Sequence, residues 1–235
     1  STAAVRTNGT AWAWGLNNQG GLGDNTTTNR SSPVSVVGGY TDWCQVSSGN
    51  YFTLGLRTNS TLWAWGNAGS GALGDGTTTA RSSPVPVVGG FTDWCQVAAP
   101  VGGNQAVSAV RTNGTLWSWG YNTQGQLGDN TTVAKSSPVS VVGGFTDWCR
   151  VSRGYHTLAL RQNGTIWAWG NGGNGALGDN TTVNKSSPVS VIGGFTNWCQ
   201  ISAGSKHSLA IRTNGSAWSW GYSNNGQLGD GTTVA

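Results

Sequence analysis

Three observations predict an all-β fold, specifically a β-propeller of four-stranded antiparallel blades. The phrase W-x-W-G recurs five times, its first Trp at Trp12, Trp63, Trp117, Trp167 and Trp218, so successive copies lie 51, 54, 50 and 51 residues apart. A period near 50 marks repeated supersecondary units that bury their apolar faces only by stacking on one another. Each period also holds four short β-rich runs bounded by turn residues, and none has helical periodicity. We expect about 51 residues per blade and five copies, of which one is incomplete. Residues 1–235 are expected to form a single repeat array, a segment of a longer propeller.

Each period justifies its strands in turn. An apolar run ending at Arg6 meets the turn Thr7-Asn8-Gly9-Thr10 and a second strand through Trp12 and Trp14. Asn-Gly between two such runs signals a hairpin, read here as a type I′ turn. It recurs at Asn113-Gly114, Asn163-Gly164 and Asn214-Gly215, while the second copy has Asn59-Ser60. A non-Gly residue must then take the left-handed conformation at roughly 1 kcal/mol. After W-G comes a variable segment, then L-G-D and a Thr-rich loop. The run S-S-P-V-x-V opens on Pro at a strand's start, where only an edge hydrogen bond is forfeited. A Gly-Gly turn leads into F/Y-T-D/N-W-C-x-V/I, the fourth strand. Trp at i and i+2 share one strand face, so the W-x-W pairs are expected to stack between blades as the core.

Composition narrows the function. Charged residues make up only 9% of the chain, and its net charge of +4 comes from Arg and Lys against eight Asp with no Glu. Most charges sit at fixed repeat positions, which spreads them around the molecule and argues against nucleic-acid binding. No apolar run reaches the roughly 18–20 residues of a membrane-spanning helix. The chain opens at Ser1 in mid-repeat and has no Met, from which we expect processing or truncation. Cys44, Cys95, Cys149 and Cys199 share one repeat slot, too far apart around a ring for a bridge, and are expected to be reduced and buried.

The order W-x-x-V, G-x-x-H-S-L-A-I, N-G, W-S-W-G, N-x-G-Q-L-G-D, best seen from Trp198 to Asp230, resembles the repeat of the regulator of chromosome condensation family. The phrase S-S-P-V-S-V-V-G-G-F-T-D-W-C-Q is closest in flavour to bacterial and marine phage versions. The resemblance covers essentially the whole chain. It implies a β-propeller, usually of seven blades, serving as an interaction platform. The founding member is a guanine nucleotide exchange factor for a small Ras-like GTPase, acting through loops outside the repeat, so no catalytic residue carries over. The family His falls at His156 and His207, whereas Phe52 and Ala106 hold the equivalent places. The two His are therefore read as packing or turn residues.

No enzymatic chemistry is expected. The eight Asp occupy two repeat slots, L-G-D and T-D-W, and are turn caps first. One carboxylate per loop makes no metal site, and no cofactor is implied. The Asn-x-Ser/Thr sequons coincide with the hairpin turns, which explain them without glycans.

What remains is where the copies differ. The segments after W-G vary, with Tyr121 and Tyr222 in copies three and five and Asn67 and Asn171 in copies two and four, an alternation that suggests duplication in pairs. Between Cys95 and Arg111 the connection exceeds its counterparts by about three residues, enlarging the loop 98–105, which holds Asn104 and Gln105. Arg150, Arg153, Tyr155 and Lys206 also break the pattern, and at least one of the two Arg should reach solvent. These residues form the expected partner-binding surface, with Tyr and Arg as anchors. The expected function is a non-enzymatic recognition or structural module, part of a virion or an extracellular component rather than a nuclear one. It would bind a protein or a surface glycan through rim loops. An exchange factor for a small GTPase and a carbohydrate-binding lectin are the alternatives. The ring is expected to close through further repeats or another chain, because an open edge invites aggregation.

Overall fold

A computed structural model describes residues 1–100 and 105–234. Five antiparallel sheets follow one another along the chain. The first has three strands, β1 (Thr2–Val5), β2 (Ala11–Gly15) and β3 (Arg30–Ser35). The next three have four each: β4 (Trp43–Ser48), β5 (Phe52–Arg57), β6 (Leu62–Gly66) and β7 (Arg81–Pro86), then β8 (Trp94–Ala98), β9 (Ala106–Arg111), β10 (Leu116–Gly120) and β11 (Lys135–Ser140), then β12 (Trp148–Arg153), β13 (His156–Arg161), β14 (Ile166–Gly170) and β15 (Lys185–Ser190). The fifth comprises β16 (Trp198–Ala203), β17 (His207–Arg212) and β18 (Ala217–Gly221). The shortfall from four strands per sheet is thus divided between the two ends. Strand order within each sheet follows chain order, the up-and-down meander of a propeller blade.

The W-C strands line the inside, β12 packing on both β8 and β16. Side chains stitch them together: Gln45 Nε2 donates to the Val97 carbonyl at 3.2 Å, and Gln96 Nε2 to that of Val151 at 3.3 Å. The S-S-P-V strands take the opposite edge of each sheet. There Pro33 and its counterparts stand fourth in a six-residue strand, within the stretch where register with the W-x-W strand shifts. A bulge on an edge strand, rather than a strand start, is what accommodates the missing N–H.

In blades two to five the two Trp of each W-x-W pair have different tasks. The first stacks on the Phe or Tyr preceding T-D/N-W, as in Phe91–Trp117 with centroids 4.8 Å apart, and its Nε1 donates to the hairpin Thr. The second crosses to the preceding blade: Trp119 Nε1 donates to the Ala72 carbonyl at 3.0 Å, Trp169 to Gln126 at 3.0 Å and Trp220 to Ala176 at 3.0 Å. Its indole lies on the L-G-D turn of that blade, where a Cβ on Gly128 would come within 2.7 Å of Trp169 Nε1. Trp65, Trp119 and Trp169 are fully buried, removing roughly 150–250 Å² each from water.

Both Asp slots are ion-paired, but only the L-G-D Asp also caps its own turn; the side chains of Asp42, Asp93 and Asp147 accept from Arg. Asp75 caps its own loop through Thr77 and pairs with Arg81 at 3.1 Å. Asp93 pairs with Arg111 at 2.7 Å, and that guanidinium lies 4.1 Å above the Phe91 ring.

Two local expectations are corrected. At the hairpins only the Gly of Asn-Gly has positive φ, and the Gly9 N–H donates to the Arg6 carbonyl. This is a type I turn followed by a left-handed residue, not a type I′ turn. The four cysteines are free but not buried: Cys44, Cys95 and Cys149 are exposed and Cys199 is half-buried. Each follows a buried Trp at a register shift, as between Trp43 and Gln45. The extra residue turns the Cys to solvent, its Sγ donating to a cross-strand carbonyl, Leu56 for Cys44 at 3.4 Å. Desolvation still raises the thiol pKa of Cys44, Cys95 and Cys149 above the ordinary value.

Ser60 takes φ of 60° in the slot that Gly fills elsewhere. Ser60→Gly is therefore expected to stabilise the protein by roughly 1 kcal/mol in equilibrium urea unfolding. An unchanged or lower midpoint would contradict this reading of the turn.

Candidate functional site

The hairpin pairing that builds each blade also builds its rim. The residue after each W-G donates its backbone N–H to the residue before the β-strand facing it: Asn67 to Tyr51 at 2.9 Å, Tyr121 to Gln105 at 3.2 Å, Asn171 to Tyr155 at 3.4 Å and Tyr222 to Lys206 at 3.0 Å. Blades two to five therefore each present a two-residue rim position, and every one of these pairs contains one Tyr. The alternation of Tyr and Asn after W-G is compensated from the other strand. It also has a local geometry: copies two and four form 3₁₀ turns at Gly69–Gly71 and Gly173–Gly175. Asn67 and Asn171 accept from Gly69 and Gly173 N–H at 2.7 and 2.9 Å there. In copies three and five Gln126 and Gln227 instead accept from the backbone of residues 124 and 225, both at 2.9 Å.

These rim positions enclose an open pocket of about 560 Å³, lined by Ser70, Gln105, Tyr121, Gln124, Gln126, Tyr155, Asn171 and Lys206. Four of the residues expected from sequence, Gln105, Tyr121, Tyr155 and Lys206, thus come together although they span a hundred positions. Tyr222 adjoins them, its ring 5.7 Å from Lys206 Nζ. Gln105 is held by Asn67, its Nε2 donating to Oδ1 at 2.9 Å. The lining offers aromatic faces, amides and one ammonium, with no carboxylate. Gln124, Asn171 and Ser70 join it from segments whose variability was the signal available in the sequence.

The other expected residues lie elsewhere. Asn104, and residues 101–104 of the enlarged loop, lie outside the described residues. Arg150 is exposed but is not part of the pocket. It occupies the slot where Gln45 and Gln96 bridge to the next blade.

Arg153 is not a surface residue. It is 2% exposed, and Nη1 donates to Ser108, to the Gln126 carbonyl and to Thr157. Its repeat equivalents are Ser48, Ala99 and Ala203, so the long side chain has filled a slot between the third and fourth sheets. Nε and Nη2 have no partner, and burial lowers the guanidinium pKa to about 9. It remains a cation at neutral pH, consistent with a packing position and not with partner contact.

His156 lies close by, buried, its Nε2 2.7 Å from Ser208 Oγ. Desolvation first, then the charges of Arg153 and His207, lower its pKa to about 3, so it is neutral in the folded protein. Among the described residues no group of His, Cys, Asp or Glu is arranged to hold a metal ion. No described helix is long and apolar enough to cross a membrane.

Stacked Trp-rich antiparallel sheets that follow one another along the chain define a β-propeller. The chain belongs to the RCC1-like domain family, whose model matches residues 1–235. It is similar to the mitochondrial RCC1 domain-containing protein RUG3 of Arabidopsis thaliana, 32% identical over 130 residues covering 54% of this chain and 28% of that protein. It is also similar to the human E3 ubiquitin-protein ligase HERC2, 28% identical over 239 residues, 99% of this chain and 4% of HERC2. The chain therefore spans well under two thirds of these relatives. Among solved structures, human WBSCR16 superposes with a TM-score of 0.82 at 23% identity, covering 99% of this chain and 62% of that one. Prp20p of Saccharomyces cerevisiae gives 0.82 at 22% identity, covering 98% and 58%. These likenesses establish the fold.

The depressed His156 pKa has a testable consequence. The unfolded chain takes up a proton near pH 6.5 and the folded one only near pH 3, so stability present above pH 6.5 is lost progressively as pH falls toward 3. His156→Phe, borrowing the residue at Phe52, is expected to flatten that decline in urea unfolding series between pH 7 and pH 4. An unaltered slope would show that the imidazole titrates normally.

Proposed function

We propose that this chain is a non-enzymatic recognition module that binds a protein partner through the rim face of Gln105, Tyr121, Tyr155, Lys206 and Tyr222. One observation carries this: four positions that escape the repeat, Gln105, Tyr121, Tyr155 and Lys206, line one open pocket, and each rim pair around it supplies a Tyr. Tyr offers a large, amphipathic contact area and is enriched among residues that dominate binding energy. The family relation supports it, since one solved relative is yeast RCC1 (Prp20) with Kap60 bound, and Prp20p of Saccharomyces cerevisiae binds Gsp1p and histones. Low charge and polar rims support a virion or extracellular setting over a nuclear one.

A glycan is the second ligand we consider, favoured by the pairing of Tyr rings with the amides of Gln105, Gln124 and Asn171 around the pocket. An exchange-factor role has less support. Seven of the eight Asp are in ion pairs with Arg or Lys, leaving no acidic cluster to displace a bound nucleotide's phosphate-binding partners.

The test combines Tyr121→Ser, Tyr155→Ser and Lys206→Glu in one protein and compares it with the wild type in pull-downs and on a glycan array. Val133→Ser, an exposed residue of an outer loop, is the control. The triple variant is expected to lose its captured protein at least tenfold while melting within a few degrees of wild type. Capture that survives the triple variant would place recognition on another surface, and array binding without protein capture would favour the glycan.

A further inference from the structure

The rim pocket is one-sided in its hydrogen bonding, and the cause lies in bonds already made around its wall. Its main-chain carbonyls are engaged by the strand ladders and the blade junction. Gln105 accepts from Tyr121 N–H at 3.2 Å, Tyr155 from Asn171 N–H at 3.4 Å and Lys206 from Tyr222 N–H at 3.0 Å. The Gln126 carbonyl takes three donors, Arg153 Nη1 at 2.7 Å, Trp169 Nε1 at 3.0 Å and Thr157 Oγ1 at 3.1 Å.

The side-chain amides are turned the same way. Asn171 Oδ1 accepts from Gly173 N–H at 2.9 Å, and Gln126 Oε1 from Gln124 N–H at 2.9 Å. A main-chain N–H must be met by the oxygen of an amide and not by its nitrogen, so the backbone sets the orientation of both groups. Gln126 Nε2 then donates to Gln124 Oε1 at 3.2 Å. The amino groups of Gln124 and Asn171 are left without a partner among the described residues. The Tyr121 hydroxyl accepts from Thr123 Oγ1 and keeps its own proton to donate. The Tyr155 hydroxyl, which also lines the pocket, has no partner among the described residues. Against these donors and the Lys206 ammonium stands one unengaged amide oxygen, Gln105 Oε1, whose amino group is held by Asn67.

Charge has the same sense. Lys206 takes part in none of the seven ion pairs among the described residues. Arg153 is a second cation, buried and likewise outside those pairs, and it holds the carbonyl of Gln126, whose residue lines the pocket. Burial lowers its pKa only to about 9, so it is charged at neutral pH. A buried cation is screened far less than a surface one, and without a counter-charge it is costly. An anion held against Gln126 would offset part of that cost. Both cations depart from the repeat: the residues equivalent to Lys206 are Tyr51, Gln105 and Tyr155, and those equivalent to Arg153 are Ser48, Ala99 and Ala203. The two departures meet at one pocket.

Resting on the reading of this rim as the recognition surface, we infer that the pocket is a carboxylate-binding subsite, and that its occupant is an Asp or Glu side chain in an acidic segment of a protein partner. Lys206 supplies the charge. The hydroxyls of Tyr121 and Tyr155 and the amino groups of Gln124 and Asn171 supply neutral donors, while the Tyr faces cover the apolar stem of the acidic residue. One exposed ammonium among neutral donors suits a singly charged carboxylate. A phosphate dianion is characteristically met by clustered guanidinium groups, and the guanidinium here is buried. Arg153 touches no ligand and acts through its charge.

The experiment pans the 235-residue protein against a random dodecapeptide phage library and carries the enriched sequences into isothermal titration as synthetic peptides. Asp or Glu should dominate one position of the enriched set. Changing that residue to Asn or Gln should weaken binding at least tenfold on the wild type and less than twofold on Lys206→Gln, the coupling expected of a direct pair. Arg153→Met, which keeps much of the packing volume and removes the charge, should weaken the acidic peptide several-fold and leave its amide version unaffected. Enriched peptides that bind without a carboxylate, or acidic ones indifferent to Lys206→Gln, would overturn the inference. So would an acidic glycan that binds through Lys206 when no acidic peptide is enriched, and equal weakening of both peptides by Arg153→Met would remove the part given to the buried charge. If carboxylate-free peptides still lose binding in Tyr121→Ser and Tyr155→Ser, the recognition surface stands and only the subsite fails. Peptides that ignore all three residues count against the surface itself.

Discussion

The rest of the structure depends on how the second Trp of one blade sits on the L-G-D turn of the blade before it. A single blade of four short strands cannot bury its own apolar face. The indole does this across the junction: its ring covers a Gly that has no room for a Cβ, and its Nε1 takes up a backbone carbonyl of the same turn. An amide carbonyl buried without such a donor would carry a desolvation penalty of roughly 1–3 kcal/mol. The contact therefore supplies area, shape and hydrogen-bond satisfaction together. The junctions are not identical. Trp65 Nε1 has no partner, and the Gly21 carbonyl accepts from Thr53 Oγ1, whereas the Gln126 carbonyl accepts from both Trp169 Nε1 and Thr157 Oγ1.

Fixing the blades in this way frees the loops between them. The ion pairs of both Asp slots and the Asx-type caps of the L-G-D slot repeat with little variation, so they hold the loops that carry them without marking a site. Variation on the rim is concentrated at the positions after W-G and before the H-S-L-A-type strand. The β-ladder joins those two positions side by side, and the stacking of blades brings successive pairs to one rim. A recognition surface built this way can change residue by residue while the Trp junctions beneath it stay the same.

Much of this was legible in the sequence because a repeat exposes its constraints by repetition. The four strands per period, the placing of hairpins and the core role of the Trp follow from spacing and turn residues alone. What failed did so for local reasons. The Cys slot reads as part of an alternating strand, but a bulge after the buried Trp reverses the side to which it points. Arg153 reads as a surface charge because Arg is seldom buried. Its equivalents Ser48, Ala99 and Ala203 are all small, which was the available sign of an enclosed slot. The Tyr present in each rim pair escaped notice because its two members are 16 residues apart and meet only through strand pairing.

The Trp-on-glycine junction is tested most directly by two matched substitutions. Gly128 and Gly144 both have φ of 68°, but a Cβ on Gly128 strikes the Trp169 indole while one on Gly144 meets nothing within 4 Å. Placing Ala at either position carries the same left-handed strain of about 1 kcal/mol. Equilibrium urea unfolding of Gly128→Ala and Gly144→Ala therefore isolates the contact. The account predicts that Gly128→Ala loses a further 1–3 kcal/mol or so, the usual cost of overpacking, with Trp fluorescence altered in the folded state. Equal stability of the two variants would contradict it.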